Sequence, residues 1–352
     1  MMSAGRVGRV VPESDRAHAL RVAAGLVVPG LALVAADRPD LIIYAVFGSF
    51  TGMYGRADSR VMRLLHQSQG AVLLLSGTAI GILLAHAHAS SQLVIAAAAA
   101  FAVAGSLLAD FFALRPDGPF YGIFALGAIA GVPSAVLAPV ASWLIAAGGA
   151  AIAICIGLSG GDAHPITPRA VTEAFRGQRV RSRPAAVLHA LRYAVAVTVA
   201  GSLALVAGLG HVNWAIAGAA VTLAAADPRR RFWRGVHRIV GTLAGLAITA
   251  LLLATGMGPR SLAVVVIVLL FPAELFMAAN YTLALSFFTP MIMLMTELAA
   301  PIGVRELIET RALGTMLGVL CGFVVTYVIR DRTERSAGAS SRRSPSGRRS
   351  RA

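Results

Sequence analysis

The chain has 352 residues, 57% of them hydrophobic and 13% charged, against about 25% charged in a soluble domain of ordinary composition. A mean hydropathy of +0.75, with apolar residues in long blocks instead of amphipathic periods, makes it a polytopic membrane protein. The net charge is +15 and all 31 basic residues are arginine, which excludes the phosphate-holding lysine of a P-loop and any Schiff-base chemistry.

A pI near 11.4 would suit a nucleic-acid binder. The arginines gather between apolar blocks, however, as they do in the cytoplasmic loops of membrane proteins, so nucleic acid is not an expected partner. Cys155 and Cys321 both fall inside apolar runs and read as packing residues, not as a disulfide or metal pair. The sequence offers no Ser-His-Asp, metal-ligand or phosphate-loop constellation, so no enzyme, metal or cofactor is expected.

In chain order, residues 1–20 are a polar cytoplasmic segment with Arg6, Arg9 and Arg16, read as leading into a span and not as a removed signal peptide. Six spans are predicted at 21–36, 41–55, 69–87, 92–112, 120–137 and 139–158. A basic cytoplasmic linker follows at 159–186. Six more spans are predicted at 187–207, 212–226, 237–255, 262–278, 281–298 and 311–329. The tail, 330–352, is low-complexity and basic, expected to be disordered and to touch anionic lipid. With the N-terminus inside, 27 arginines fall on the cytoplasmic side and only Arg38, Arg260, Arg305 and Arg311 outside, which places both termini in the cytoplasm of a plasma-membrane protein.

The two sets of spans repeat. His18-Ala-Leu-Arg21 returns as His189-Ala-Leu-Arg192, and Arg63-x-x-His66-x-x-x-Gly70 returns 171 residues later as Arg234-x-x-His237-x-x-x-Gly241. Six spans per copy make the copies parallel, so the expected fold is an all-α transmembrane helix bundle of about twelve spans in two parallel six-helix repeats. Spans 2 and 8 hold about 15 residues each, below the roughly 20 needed to cross squarely. Matching short segments in two halves point to a transport site, although a tilted neighbour or a thinned bilayer would also explain them.

The stretch Asp227–Gly245 carries arginines at 229, 230, 231, 234 and 238 and then Arg238-x-x-Gly241-Thr242-x-x-Gly245, a pattern that recurs as Arg311-x-x-Gly314-Thr315-x-x-Gly318 with Gly322 beyond. Glycines four apart admit another helix closely; all five are expected to pack helices, and Gly241, Gly245, Gly314 and Gly318 to bring spans 9 and 12 together. The ordered set His189-Ala-Leu-Arg192, Asn213-Trp214-Ala215, the arginine elbow, Asn280-Tyr281-Thr282 and Arg311-x-x-Gly314-Thr315 resembles the fusaric acid resistance (FUSC) family, well over 187–329 and faintly over 18–158. That family is related to aromatic-acid exporters and aluminium-activated malate transporters. The resemblance implies a transporter of organic anions, and implies Asn280 and Tyr281 as path residues. The first half lacks the signature, with Gln67, Gly70 and Ala71 in its place.

Asp110 and Glu274 lie at equivalent places near the inner ends of spans 4 and 10, and an intramembrane carboxylate is costly enough to suggest proton coupling, although Asp110 also reads as an interfacial acid. Arg63, Arg234 and Arg238 at span mouths could gather carboxylates or merely anchor topology. His66 and His237 titrate near neutral pH or serve as elbow residues. Tyr44 and Trp214 fit an aromatic belt, and would also stack an aromatic substrate. Arg311 is expected to pair with Glu297, Glu306 or Glu309. The central path is expected from spans 2, 8 and 10 with Glu274 inside. The function read from this is export of small organic anions, aromatic ones among them, by a secondary transporter or channel. The alternative is a non-transporting scaffold for envelope assembly. Expected partners are the anion, lipid and a second copy of the chain.

Overall fold

A computed structural model describes residues 12–56, 58–133, 137–159, 166–176, 178, 182–224 and 228–329, with backbone alone at 228–231. The segments 1–11 and 330–352, residues 225–227 and much of the linker lie outside the described residues. Within them the chain is helical, with no strand. The helices are α1 Glu13–Ala35, α2 Ile42–Ser49 with a 3-10 turn Phe50–Met53, α3 Arg60–His86, α4 Ser91–Phe111, α5 Phe120–Ala130 and α6 Pro139–Gly157. Then come α7 Pro168–Arg176, α8 Arg183–Val206, α9 Asn213–Leu223, α10 Pro228–Ala254, α11 Pro259–Met277, α12 Tyr281–Ala299 and α13 Val304–Val328.

Among the described residues, nine helices are long and apolar enough to cross a membrane: α1, α3, α4, α6, α8, α10, α11, α12 and α13. The other three predicted spans are short, with 8 residues in α2 and 11 each in α5 and α9. Burial accounts for them. Every residue of α2 and nearly every residue of α5 and α9 is covered by protein, so other helices and not lipid chains surround them, and bilayer thickness does not dictate their length. Span 5 therefore ends at Ala130, not at 137.

Several helices begin before the apolar block that marked them. α1 starts at Glu13 instead of 21, α3 at Arg60 instead of 69, α10 at Pro228 instead of 237 and α13 at Val304 instead of 311. Polar residues near helix ends find partners on neighbouring elements. Arg63 Nη1 donates to the Gly157 carbonyl at 2.9 Å, and Arg192 Nε to that of Ile329 at 2.8 Å. The linker, expected to be plain, contains α7, whose Phe175 meets Phe111 and Phe112 edge-on.

Ion pairs sort the helix ends into two faces. Arg56, after α2, reaches Asp15 at the start of α1, so α1 and α2 lead out and back. Arg260, at the start of α11, meets Asp37, after α1, on the opposite face. The packing runs in matched pairs: α3 lies on α5 and α6 as α10 lies on α12 and α13, and α6 lies on α2 as α13 lies on α9. Between the halves, α1 packs on α11 and α8 on α4, while α5 meets α9 and α2 meets α12 at the centre.

The glycine notches work, but with other partners than expected. A Cβ on Gly241 would lie 2.6 Å from the Thr282 oxygen and one on Gly245 2.6 Å from Thr289 Cβ, both on α12. Gly314, Gly318 and Gly322 receive α9 instead, against Trp214, Ala215 and Thr222. Spans 9 and 12 do touch, through Gly235 against Phe323, but not through the paired motif glycines. In the first half, Gly77 and Gly81 of α3 receive α5 at Gly122 and Leu126.

Candidate functional site

At the centre, helical spacing on α5 puts Phe120, Tyr121 and Phe124 along one side. Phe120 stacks on Phe124 at 5.8 Å, Phe124 lies 6.1 Å from Trp214 of α9, and Phe50 stacks on Phe288 of α12 at 5.6 Å. Phe124 and Phe288 are 6.5 Å apart and close the ladder. α10 and α13 reach it with arginines. Arg234 lies 4.7 Å over the Tyr281 ring, and Arg238 lies 5.6 Å over Phe120 with Nη1 donating to the Tyr281 hydroxyl at 3.5 Å. Arg311 lies 4.3 Å over the Trp214 ring and 6.0 Å from Phe124.

Arg238 and Arg311 are 2% and 1% exposed, and neither forms an ion pair with a described residue. Nε of both, and Nη1 of Arg311, have no hydrogen-bond partner. One turn on from each arginine, Thr242 and Thr315 are buried with unpartnered hydroxyls. Thr78 and Thr289 share that state, whereas Thr222, Thr249, Thr296, Thr310 and Thr326 each donate to the carbonyl four residues back. Each Arg-x-x-Gly-Thr copy thus combines a helix-packing notch with a buried set of free donors.

Arg234, Arg238, Tyr281, Tyr121, Phe120 and Phe288 line a cleft with about 30 Å³ of free interior, closed beside Asp117 and Gly118 of the α4–α5 loop. That is room for about two waters, not for an organic anion. The cleft joins α5, α10 and α12, with Val221 of α9 and Met277 of α11 at its wall. It is not the expected set of spans 2, 8 and 10, because α11 turns its buried side to α1 and α12.

Glu274 does not line the cleft. At 2% exposure its Oε2 lies 3.1 Å from Arg56 and 3.4 Å from His18 Nε2. Asp110 pairs with His189 Nδ1 at 3.2 Å, so it is a buried partner and not an interfacial acid. The two pairs are counterparts: the histidine of one half's first helix meets the acid of the other half's fourth. Sequence reading found both histidines and both acids as repeated residues but did not join them. The available signal was that each repeated buried acid needs a repeated buried partner.

The remaining candidates separate. Arg63 spends its guanidinium on the carbonyls of Gly157 and Asp58, and His66 is buried against the Asp58 carboxylate. His237 is exposed beside Trp233, away from the cleft. Asn280 caps α12, accepting from the Leu283 amide at 3.1 Å. Tyr44 and Trp214 form no aromatic belt, since both are buried among helices. Arg311 pairs with none of the expected acids: Glu309 holds Arg305, and Glu297 accepts from the Ile302 amide.

Residues 197–325 match the family model described as fusaric acid resistance protein-like. The chain carries a FUSC region. It begins within α8 and ends within α13, so both Arg-x-x-Gly-Thr copies, the ladder's Trp214 and Phe288, and Tyr281 lie inside it, while α1–α6 lie outside. No curated protein and no solved structure matches the chain. The FUSC match and the apolar helices make this a multi-pass membrane protein of transporter type.

Proposed function

We propose that the protein is a plasma-membrane secondary transporter or channel that exports small organic anions along the second half's arginines. The observation that carries this reading is the pair Arg238 and Arg311, buried guanidinium groups with no acid partner among the described residues. A buried charge without a counter-ion is strongly unfavourable, and a visiting carboxylate would supply one. The aromatic ladder between them supports planar, aromatic acids as substrates. Twelve crossings in two parallel repeats, with both termini cytoplasmic, would put the cleft of Arg234 and Arg238 at the cytoplasmic mouth. The matched packing pairs and the arginine distribution support that arrangement.

Purified protein in proteoliposomes should carry labelled benzoate with saturable kinetics, and deletion of residues 336–352 should leave that flux intact. A scaffold acting through its basic tail would show no flux and lose its activity with the deletion. Absence of flux with every weak organic acid tried would overturn transport. Glu274, buried against Arg56 and His18, is the group we assign to proton response. Glu274→Gln should insert and fold yet lose the dependence of flux on pH, and a parental pH profile would make this carboxylate purely structural.

A further inference from the structure

We propose that Arg311, Trp214 and Thr315 form a second anion-binding station, deep in the bundle and separate from the cleft at Arg234 and Arg238. It takes a carboxylate head or, by the same donor chemistry, an inorganic monovalent anion. The proposal deepens the transport reading, which needs a stop between the mouth and the far side, but binding here is measurable without flux.

The position fits. α10 starts on the face where Arg234 meets Tyr281, whereas α13 starts on the opposite face, after α12 has crossed. Arg311 lies two turns into α13, roughly 10 Å from its first residue. The two arginines therefore enter the bundle from opposite ends.

The chemistry is one-sided. Arg311 Nε and Nη1, the Trp214 indole N–H and the Thr315 hydroxyl are all buried without a hydrogen-bond partner. A guanidinium and an indole only donate, and the Thr315 hydroxyl can also donate, so the cluster is rich in donors. Stacking on Trp214 uses the π-face of Arg311 and leaves the in-plane Nε and Nη1 unpartnered, groups that can donate to a carboxylate. Among the described residues no acid is paired with Arg311, and Glu309 is held by Arg305, Glu297 by the Ile302 amide and Glu274 by Arg56 and His18.

Trp214 is also the reporter. The chain has three tryptophans, so Trp143→Phe with Trp233→Phe leaves it as the sole one. This protein in nanodiscs would be titrated with sodium benzoate and with sodium iodide, at an ionic strength held constant with sodium sulfate. We expect a saturable change in Trp214 emission that Arg311→Gln weakens at least about tenfold, the loss of a charge-assisted hydrogen bond. Arg311→Lys keeps the charge without the fork and should fall between. If Arg311→Gln does not fold, Arg311→Lys and Thr315→Val carry the same comparison. Saturation by iodide but not by benzoate would keep the station and identify its ligand as inorganic. A linear response, or one unchanged in these variants, would overturn the station. Titration of Trp214 without benzoate flux would sink transport and leave the station standing. Flux with a silent Trp214 would do the reverse.

Discussion

α3 and α10 stand at the same place in the two halves and use their arginines in opposite ways. Arg63 and Arg60 of α3 donate to the carbonyls of Gly157 and Leu158, at 2.9 and 2.6 Å, where the C-terminus of α6 has orphan acceptors. Gln67 fills the next position inward, against Gly157. On α10, Arg234 stands at the position of Arg63 and lies over Tyr281, while Arg238 stands at the position of Gln67 and lies over Phe120. One scaffold therefore serves twice, once to close helix ends and once to hold uncommitted positive charge beside an aromatic ladder. The two halves share a packing pattern and differ in the chemistry they place on it.

Substituting one buried arginine in each half tests this division most directly. Arg238→Gln should lower benzoate flux about tenfold to a hundredfold, as expected for a lost hydrogen bond to a charged ligand. Arg63→Gln should leave flux within about twofold but lower the thermal unfolding midpoint in detergent, because it strips donors from α6. Loss of flux in both would erase the contrast between the halves. Packing, by comparison, should respond alike on the two sides. Gly48 lies against the Ala146 carbonyl and Gly318 against that of Ala215, so Gly48→Ala and Gly318→Ala should each destabilise by about 1–3 kcal/mol. Gly148, which faces open space, is the control, and Gly148→Ala should change little. The smallest effect is expected at Arg234, which is only half-buried: Arg234→Ala should raise the apparent KM a few-fold and flatten its dependence on salt, read from flux at two ionic strengths.

Hydropathy made the long helices legible, since a lipid-facing helix must be apolar over its length. It misplaced their polar starts because a window of hydropathy stops at an arginine, whatever carbonyl that arginine will meet. Glycine spacing showed that helices approach closely, but a notch does not name its occupant, so α12 and α9 were missed as the partners of α10 and α13. The misreading of Arg311 was avoidable. Glu309 stands two residues away, about 200° around the helix, and Glu306 five away, about 140°, so neither shares its face. Leu307, Arg311, Thr315, Gly318 and Gly322 form one buried stripe, and the spacing of three and four residues that reveals it is present in the sequence. The crossing of His18 to Glu274 and His189 to Asp110 was out of reach, because sequence periodicity does not say which half a helix leans on.

That crossing bears on how the chain is made. α1 finishes its packing on α11, and α8 on α4, so the first helix to leave the ribosome waits for nearly the last. Until α11 is inserted, His18 has no carboxylate, and the wall of the first half lacks the surface that covers it. The first half cannot mature as a finished unit during synthesis. Its early helices must be held loosely, in the insertion machinery or at the lipid boundary, and final assembly becomes a late, single event in which both halves close on each other.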